Sequence, residues 1–218
     1  MAAIVRSRWL VRASVAIGAF FAMSVVLSLV GSTSLATHGP PHVCQSMAIT
    51  AISLQATNGD DNNLTGTVGA DVVALGTGND SSFLGAGKDY LCGNEDNDLN
   101  LNGGTNNDVI NGGSGNDGIT GDAGNDTIYA GTGDDLALGD TEPDYIEGNL
   151  GQDDLGGKDG NDTVKGNEDP DEVFDGRGTD TVQGNAPTTA PGDIVYLCDT
   201  GNTVSGFEIT FGPNDGYC

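Results

Sequence analysis

Residues 103–183 read, in nines, GGTNNDVIN, GGSGNDGIT, GDAGNDTIY, AGTGDDLAL, GDTEPDYIE, GNLGQDDLG, GKDGNDTVK, GNEDPDEVF and DGRGTDTVQ, with no insertion or deletion. The sixth position is Asp in every unit: Asp108, Asp117, Asp126, Asp135, Asp144, Asp153, Asp162, Asp171 and Asp180. The eighth is a large aliphatic residue in all but one, where Ala137 stands instead. A period held this strictly identifies a repeat architecture rather than a globular core. Gly, Asn and Asp predominate in the first six positions, so that half is expected to turn, with glycines at the first, second and fourth positions taking positive φ. Three extended residues with one apolar side chain between two polar ones read as a short strand burying its middle residue. Stacked units then form a coil around an aliphatic axis.

The register runs backward through Asn62, Asp71, Asp80, Asp89 and Asp98, with one extra residue between Asp98 and Asp108. These five units join the central nine to give fourteen. Two of the early ones place Ser82 and Asn100 at the eighth position, with Phe83 and Leu101 one residue on. A local slip or bulge is expected to bury the apolar residue in each case.

The unit GGSGNDGIT, residues 112–120, resembles the RTX family, whose hemolysin-type nonapeptide is G-G-x-G-x-D-x-U-x, at every defined position. The resemblance implies an all-β fold, a right-handed parallel β-roll in which two nonapeptides make one turn. Fourteen units then make about seven turns, with β caps at both ends. It further implies that loops eighteen residues apart stack and hold Ca²⁺ between them. The implied ligands are Asp71, Asp80, Asp89, Asp98, Asp108, Asp117, Asp126, Asp135, Asp144, Asp153, Asp162, Asp171 and Asp180. The donor chemistry agrees, since Ca²⁺ takes several hard oxygen ligands in flexible geometry, whereas zinc or copper would call for His or Cys. Some loops depart from the pattern. Glu142 and Asp169 replace the fourth-position Gly and are followed by Pro143 and Pro170, while Asp60, Asp96 and Asn106 replace that Gly alone. These are the loops expected to be empty or altered.

At the N-terminus Arg6, Arg8 and Arg12 precede an uncharged, largely apolar run that ends in Ser34-Leu35-Ala36. This is the layout of a secretory signal peptide cleaved after Ala36; left uncleaved, it would anchor the chain at the cell surface. Removing residues 1–36 leaves 7 − 3 = 4 basic residues against 32 acidic ones, a net charge of 4 − 32 = −28. Self-repulsion of that size opposes a compact state. Two rows of seven loops have six gaps each, and twelve Ca²⁺ ions would bring +24. Nucleic acid is excluded as a partner, because its recognition needs a basic patch. Once the leader is removed no membrane span remains.

The expected organisation is a signal peptide (1–36), an N-terminal tail and cap (37–56), the β-roll (57–184), a linker (185–192) and a C-terminal cap (193–218). Export favours disulfides among Cys44, Cys92, Cys198 and Cys218. Three pairings are open, and joining Cys44 to Cys92 and Cys198 to Cys218 avoids a bridge along the whole roll. His38 and His42, the only histidines, precede the repeats, and neither G-x-S-x-G nor H-E-x-x-H occurs. The chain therefore reads as a non-enzymatic, extracellular calcium-binding module that folds on binding and serves as a scaffold or adhesion surface toward a protein or glycan. Two alternatives belong to other classes. One is calcium-dependent ice binding through rows such as Thr77/Asn79 and Thr105/Asn107; the other is a non-catalytic remnant of a secreted RTX enzyme or toxin.

Overall fold

A parallel ladder needs each strand to find a partner one full turn away, and an eighteen-residue step delivers that partner with side chains in register. The computed structural model describes residues 52–55, 59–185, 192–207 and 209–211. In chain order the strands are β1 (Ile52–Gln55), β2 (Leu64–Thr65), β3 (Asp71–Ala74), β4 (Ser81–Phe83), β5 (Tyr90–Glu95) and β6 (Asn100–Thr105). There follow β7 (Val109–Ser114), β8 (Gly118–Ala123), β9 (Thr127–Thr132), β10 (Leu136–Thr141), β11 (Tyr145–Leu150) and β12 (Asp154–Asp159). The last six are β13 (Thr163–Glu168), β14 (Glu172–Arg177), β15 (Thr181–Gln183), β16 (Ile194–Tyr196), β17 (Thr203–Ser205) and β18 (Ile209–Phe211). Odd-numbered strands form one nine-stranded sheet and even-numbered strands the other, so the chain crosses between sheets after every strand. Every pairing is parallel, as in Ile128↔Ile146↔Val164 and Ile119↔Ala137↔Leu155. The fold is a β-solenoid of about eight turns, and no helix occurs among the described residues.

The strands of the central repeats are six residues long, not three. Ladder bonding continues through the first and second positions, so that only the fourth to sixth residues turn. Along β7 and β8 the second and fourth strand residues are buried, which are the aliphatic eighth position and the first Gly of the next unit. Ile110, Ile128, Ile146, Val164 and Val182 stack from one sheet against Leu101, Ile119, Ala137, Leu155 and Val173 from the other, all essentially inaccessible. Each coil buries little alone, so stability resides in the stack.

The two irregular units resolve differently. Leu101 enters the axis while Leu99, beside the inserted residue, is 74 % exposed. Phe83, by contrast, does not turn inward: it is 48 % exposed, and Ser82 is buried in its place. The register Leu64↔Ser82↔Leu101 holds Ser82 on the axial face, and alternation sends Phe83 outward. Leu84 supplies the missing apolar volume, fully buried.

Beyond the repeats the same two sheets continue. β16 and β18 extend the even sheet, and β17 pairs with β15 in the odd one. At the other end β1 pairs with β3. The leader, the two histidines, Cys44 and Cys218 lie outside the described residues. Cys92, on β5, and Cys198, after β16, are not free thiols. No helix among the described residues is long and apolar enough to cross a membrane.

Candidate metal centre

The sixth-position Asp ends the turn and points its carboxyl back under the loop. Its Oδ1 accepts a hydrogen bond from the backbone N–H of the corresponding Asp one turn earlier. In one row Asp89 accepts from Asp71 at 2.7 Å, Asp108 from Asp89 at 2.8 Å, Asp126 from Asp108 at 2.8 Å, Asp144 from Asp126 at 2.8 Å and Asp162 from Asp144 at 2.9 Å. Asp180 closes that row by accepting from Asp162 at 2.8 Å. In the other row Asp98 accepts from Asp80, Asp117 from Asp98, Asp135 from Asp117, Asp153 from Asp135 and Asp171 from Asp153, at 2.7–3.0 Å. All thirteen predicted aspartates are thus buried in two continuous ladders.

The other carboxylate oxygen is where the chemistry lies. Oδ2 of Asp89, Asp98, Asp108, Asp117, Asp126, Asp135, Asp144, Asp153, Asp162, Asp171 and Asp180 is buried without a hydrogen-bond partner, eleven atoms in all. Asp71 and Asp80 are set apart from these. Thr67 donates its N–H (2.6 Å) and hydroxyl (3.0 Å) to Oδ2 of Asp71, and Gly76 N–H reaches Oδ2 of Asp80 at 3.4 Å. An unmatched buried carboxylate oxygen is costly, and eleven in register constitute a demand for cations.

Where the first position is Gly, it leaves space rather than meeting a demand of backbone angle. None of the first-position residues from Gly103 to Asp175 has positive φ; the second and fourth positions do, as at Gly113 (117°) and Gly115 (127°). A Cβ on Gly103 would lie 2.7 Å from Oδ2 of Asp108 and 3.0 Å from the carbonyl oxygen of Gly121 one turn on. A Cβ on Gly157 would meet Oδ2 of Asp162 and the carbonyl oxygen of Asp175, each at 2.5 Å. The missing side chain therefore leaves a cradle walled by a carboxylate and a carbonyl, a set of hard oxygens that suits calcium. Gly103→Val fills one cradle and should shift the calcium midpoint of the β signal upward while costing about 1–3 kcal/mol by overpacking. Circular dichroism across a calcium series checks this, and an unchanged midpoint would contradict the cradle.

Four of the five altered loops keep a positive φ at the fourth position. Glu142, Asp169, Asp96 and Asn106 occupy the left-handed region in place of Gly, with φ of 70°, 71°, 75° and 82°. Asp144 and Asp171, after the two prolines, still accept their ladder bonds at 2.8 and 3.0 Å. The non-Gly residues at these positions carry a local strain of order 1 kcal/mol each.

Burial pushes the ladder carboxyls up. It raises Asp135 to about 8, opposed by the hydrogen bond from Asp117 N–H and reinforced by the charges of Asp153 and Asp117. Desolvation likewise raises Asp144 and Asp171 to about 8, Asp98 and Asp108 to about 7, and Asp117, Asp126, Asp153 and Asp162 to about 6. Without a counter-ion these carboxyls hold their protons to a higher pH than free carboxyls do.

Sequence reasoning missed two features. At the fifth position, Asn and Asp oxygens form a further ladder on the loop rim: Asn97 Oδ1 accepts from Asn116 N–H at 2.7 Å, and Asn116 Oδ1 from Asp134 N–H at 3.1 Å. The frequency of Asn at that position was its only sequence signal. The Asp rows also extend past the repeats, where Asp193 Oδ1 accepts from Asp171 N–H (3.2 Å) and Asn202 Oδ1 from Asp180 N–H (2.9 Å). Both steps span twenty-two residues, so an eighteen-residue register passes over them.

The model of the RTX calcium-binding nonapeptide repeat (4 copies) matches residues 56–91, 65–99, 100–128, 129–164 and 156–186, more than half of the chain. No curated protein matches the chain.

Proposed function

Because the chain belongs to the RTX calcium-binding nonapeptide repeat family, we propose that it is an extracellular, non-enzymatic calcium-binding protein whose roll forms as the ions bind. The observation that carries this reading is the row of eleven buried, partnerless Oδ2 atoms, with a glycine cradle beside those of most units. Asp89, Asp98, Asp108, Asp117, Asp126, Asp135, Asp144, Asp153, Asp162, Asp171 and Asp180 would hold the ions, with first-position carbonyls of the next turn as further donors. Asp71 and Asp80 would serve mainly as anchors, since their Oδ2 atoms already accept hydrogen bonds. Calcium supplies the charge that offsets the acidic chain and ties adjacent turns together. In a calcium-poor cytoplasm repulsion would keep the chain expanded; outside the cell, where calcium is abundant, it would condense. Export through the leader of residues 1–36 completes this reading.

The outer faces suit a scaffold or adhesion surface. Phe174 stacks on Tyr196 with centroids 4.5 Å apart, and Leu136 and Phe83 stand exposed on the same sheet. The ladder argues against one of the three cysteine pairings. β5 and β16 lie on different sheets, several rungs of about 4.8 Å apart, far beyond the span of a disulfide. Cys92 and Cys198 therefore pair with the other two cysteines, and Cys44–Cys92 with Cys198–Cys218 keeps each bridge local; a non-reducing peptide map checks it. Equilibrium dialysis of the purified chain against calcium tests the main proposal. Close to eleven ions bound per chain at millimolar calcium, undisturbed by equal magnesium, is the expected result, and one ion or none would overturn it.

A further inference from the structure

Among the nine central units, one breaks the rule that the first position is Gly or Ala. Asp175 stands where the neighbouring units carry Gly, and it is fully buried. Its Oδ1 accepts from Cys198 N–H at 2.8 Å and its Oδ2 from the side-chain amide of Asn202. The cradle of this unit is therefore not an open space but a second carboxylate facing that of Asp180. A third arrives from beyond the linker: Asp199 turns in toward the same point, its Oδ2 accepting from Gly178 N–H at 2.7 Å. One carboxylate oxygen from each of the three lies within 4.8 Å of the others.

The hydrogen bonds leave two oxygens over. Oδ2 of Asp180, on a side chain 1 % exposed, and Oδ1 of Asp199 are both buried with no partner. Among the described residues no Lys or Arg forms an ion pair with any of the three; Arg177, nearby in sequence, reaches Asp159 instead, at 3.8 Å. Three carboxylates without a cation, two of them with an unsatisfied oxygen, require an ion of the hard, oxygen-binding class. The spacing fits inside the span of about 5 Å across a calcium ion with bonds of about 2.4 Å.

We propose that Asp175, Asp180 and Asp199 form a three-carboxylate calcium site that fastens the strands after the linker to the last repeat. It deepens the calcium reading of the repeats and rests on it, but its donors differ. The repeat cradles offer one carboxylate and backbone carbonyls, whereas this site offers three anions, one from outside the repeat register. Higher ligand charge means tighter calcium binding, so this ion is the last to leave as calcium is withdrawn.

Equilibrium dialysis of the purified chain with calcium alone, from low to millimolar free ion, tests the site. Two variants are compared with the unsubstituted chain: Asp199→Asn, which removes the incoming charge, and Asp175→Gly, which restores the residue used by the other units and so keeps the fold. Circular dichroism at saturating calcium confirms that each variant is folded; should Asp199→Asn fail to fold, Asp175→Gly decides. The expected result is that the tightest-binding ion weakens about tenfold or more while the remaining ions bind as before. If the unsubstituted chain binds several ions and the variant leaves the tightest one unchanged, this site is overturned and the repeat reading stands. If the unsubstituted chain binds no calcium, both fall.

Discussion

Asp108→Asn should shift stability in opposite directions with and without calcium. Oδ1 of Asp108 accepts the Asp89 N–H at 2.8 Å, a bond that an amide oxygen can also make, as Asn202 does for Asp180 at 2.9 Å. Oδ2 is the partnerless oxygen that faces the Gly103 cradle and the Gly121 carbonyl. Replaced by an amide NH₂, it can donate to that carbonyl but can no longer hold a cation. In calcium the variant loses a charged ligand, and losses of this kind run to about 1.5–3 kcal/mol, a tenfold or larger rise in the calcium needed for folding. In chelator at pH 8 the same change removes a buried charge that burial disfavours, so the ion-free roll should gain stability. Thermal melts in calcium, and in chelator the residual β signal and the pH at which it is lost, measure the two signs. A loss of stability in both would make Asp108 a purely structural residue and contradict the ligand role.

Acid should substitute in part for calcium. Burial raises the ladder carboxyls from 3.8 to between about 6 and about 8. A carboxyl whose folded pKa lies above its unfolded one binds protons more tightly in the folded chain. Its stabilising contribution is therefore complete below the unfolded value near 4 and disappears as pH rises through the folded value. Summed over two rows, the ion-free roll should be favoured at pH 5 and lost between roughly pH 6 and 8. Protons compete with cations for the same oxygens, so the calcium midpoint should rise steeply as pH falls through that window. The β signal in chelator at pH 5 and pH 8 checks the first statement, and a signal flat across the range would refute it. With calcium bound the dependence should reverse, since ionised carboxylates then hold the ions.

Much of the architecture is legible in the sequence because one period governs it. The eighteen-residue stack, the two rows of aspartates and the axial residues Ile110, Ile128 and Ile146 all follow from counting in nines. What escapes the count is what packing decides. The first Gly reads as a turn former, yet at Gly103 it serves to keep a Cβ away from Asp108. Phe83 reads as core, but the fixed register of Ser82 between Leu64 and Leu101 turns it outward. The loops at Pro143 and Pro170 read as altered; Glu142 and Asp169 take a φ near 70° where Gly115 has 127°, while Asp144 and Asp171 still join the ladder. Asp193, Asp199 and Asn202 were invisible to the period, because the linker lengthens the step from eighteen residues to twenty-two at Asp193 and Asn202 and to twenty-one at Asp199.

On the proposed function, the roll forms as calcium binds. Far-ultraviolet circular dichroism of the purified chain at pH 8, titrated with calcium and in parallel with magnesium, tests it most directly. Little β signal in chelator, a cooperative rise with calcium and no comparable rise with magnesium is the predicted result. A full β signal in chelator at that pH, or none in excess calcium, would contradict it.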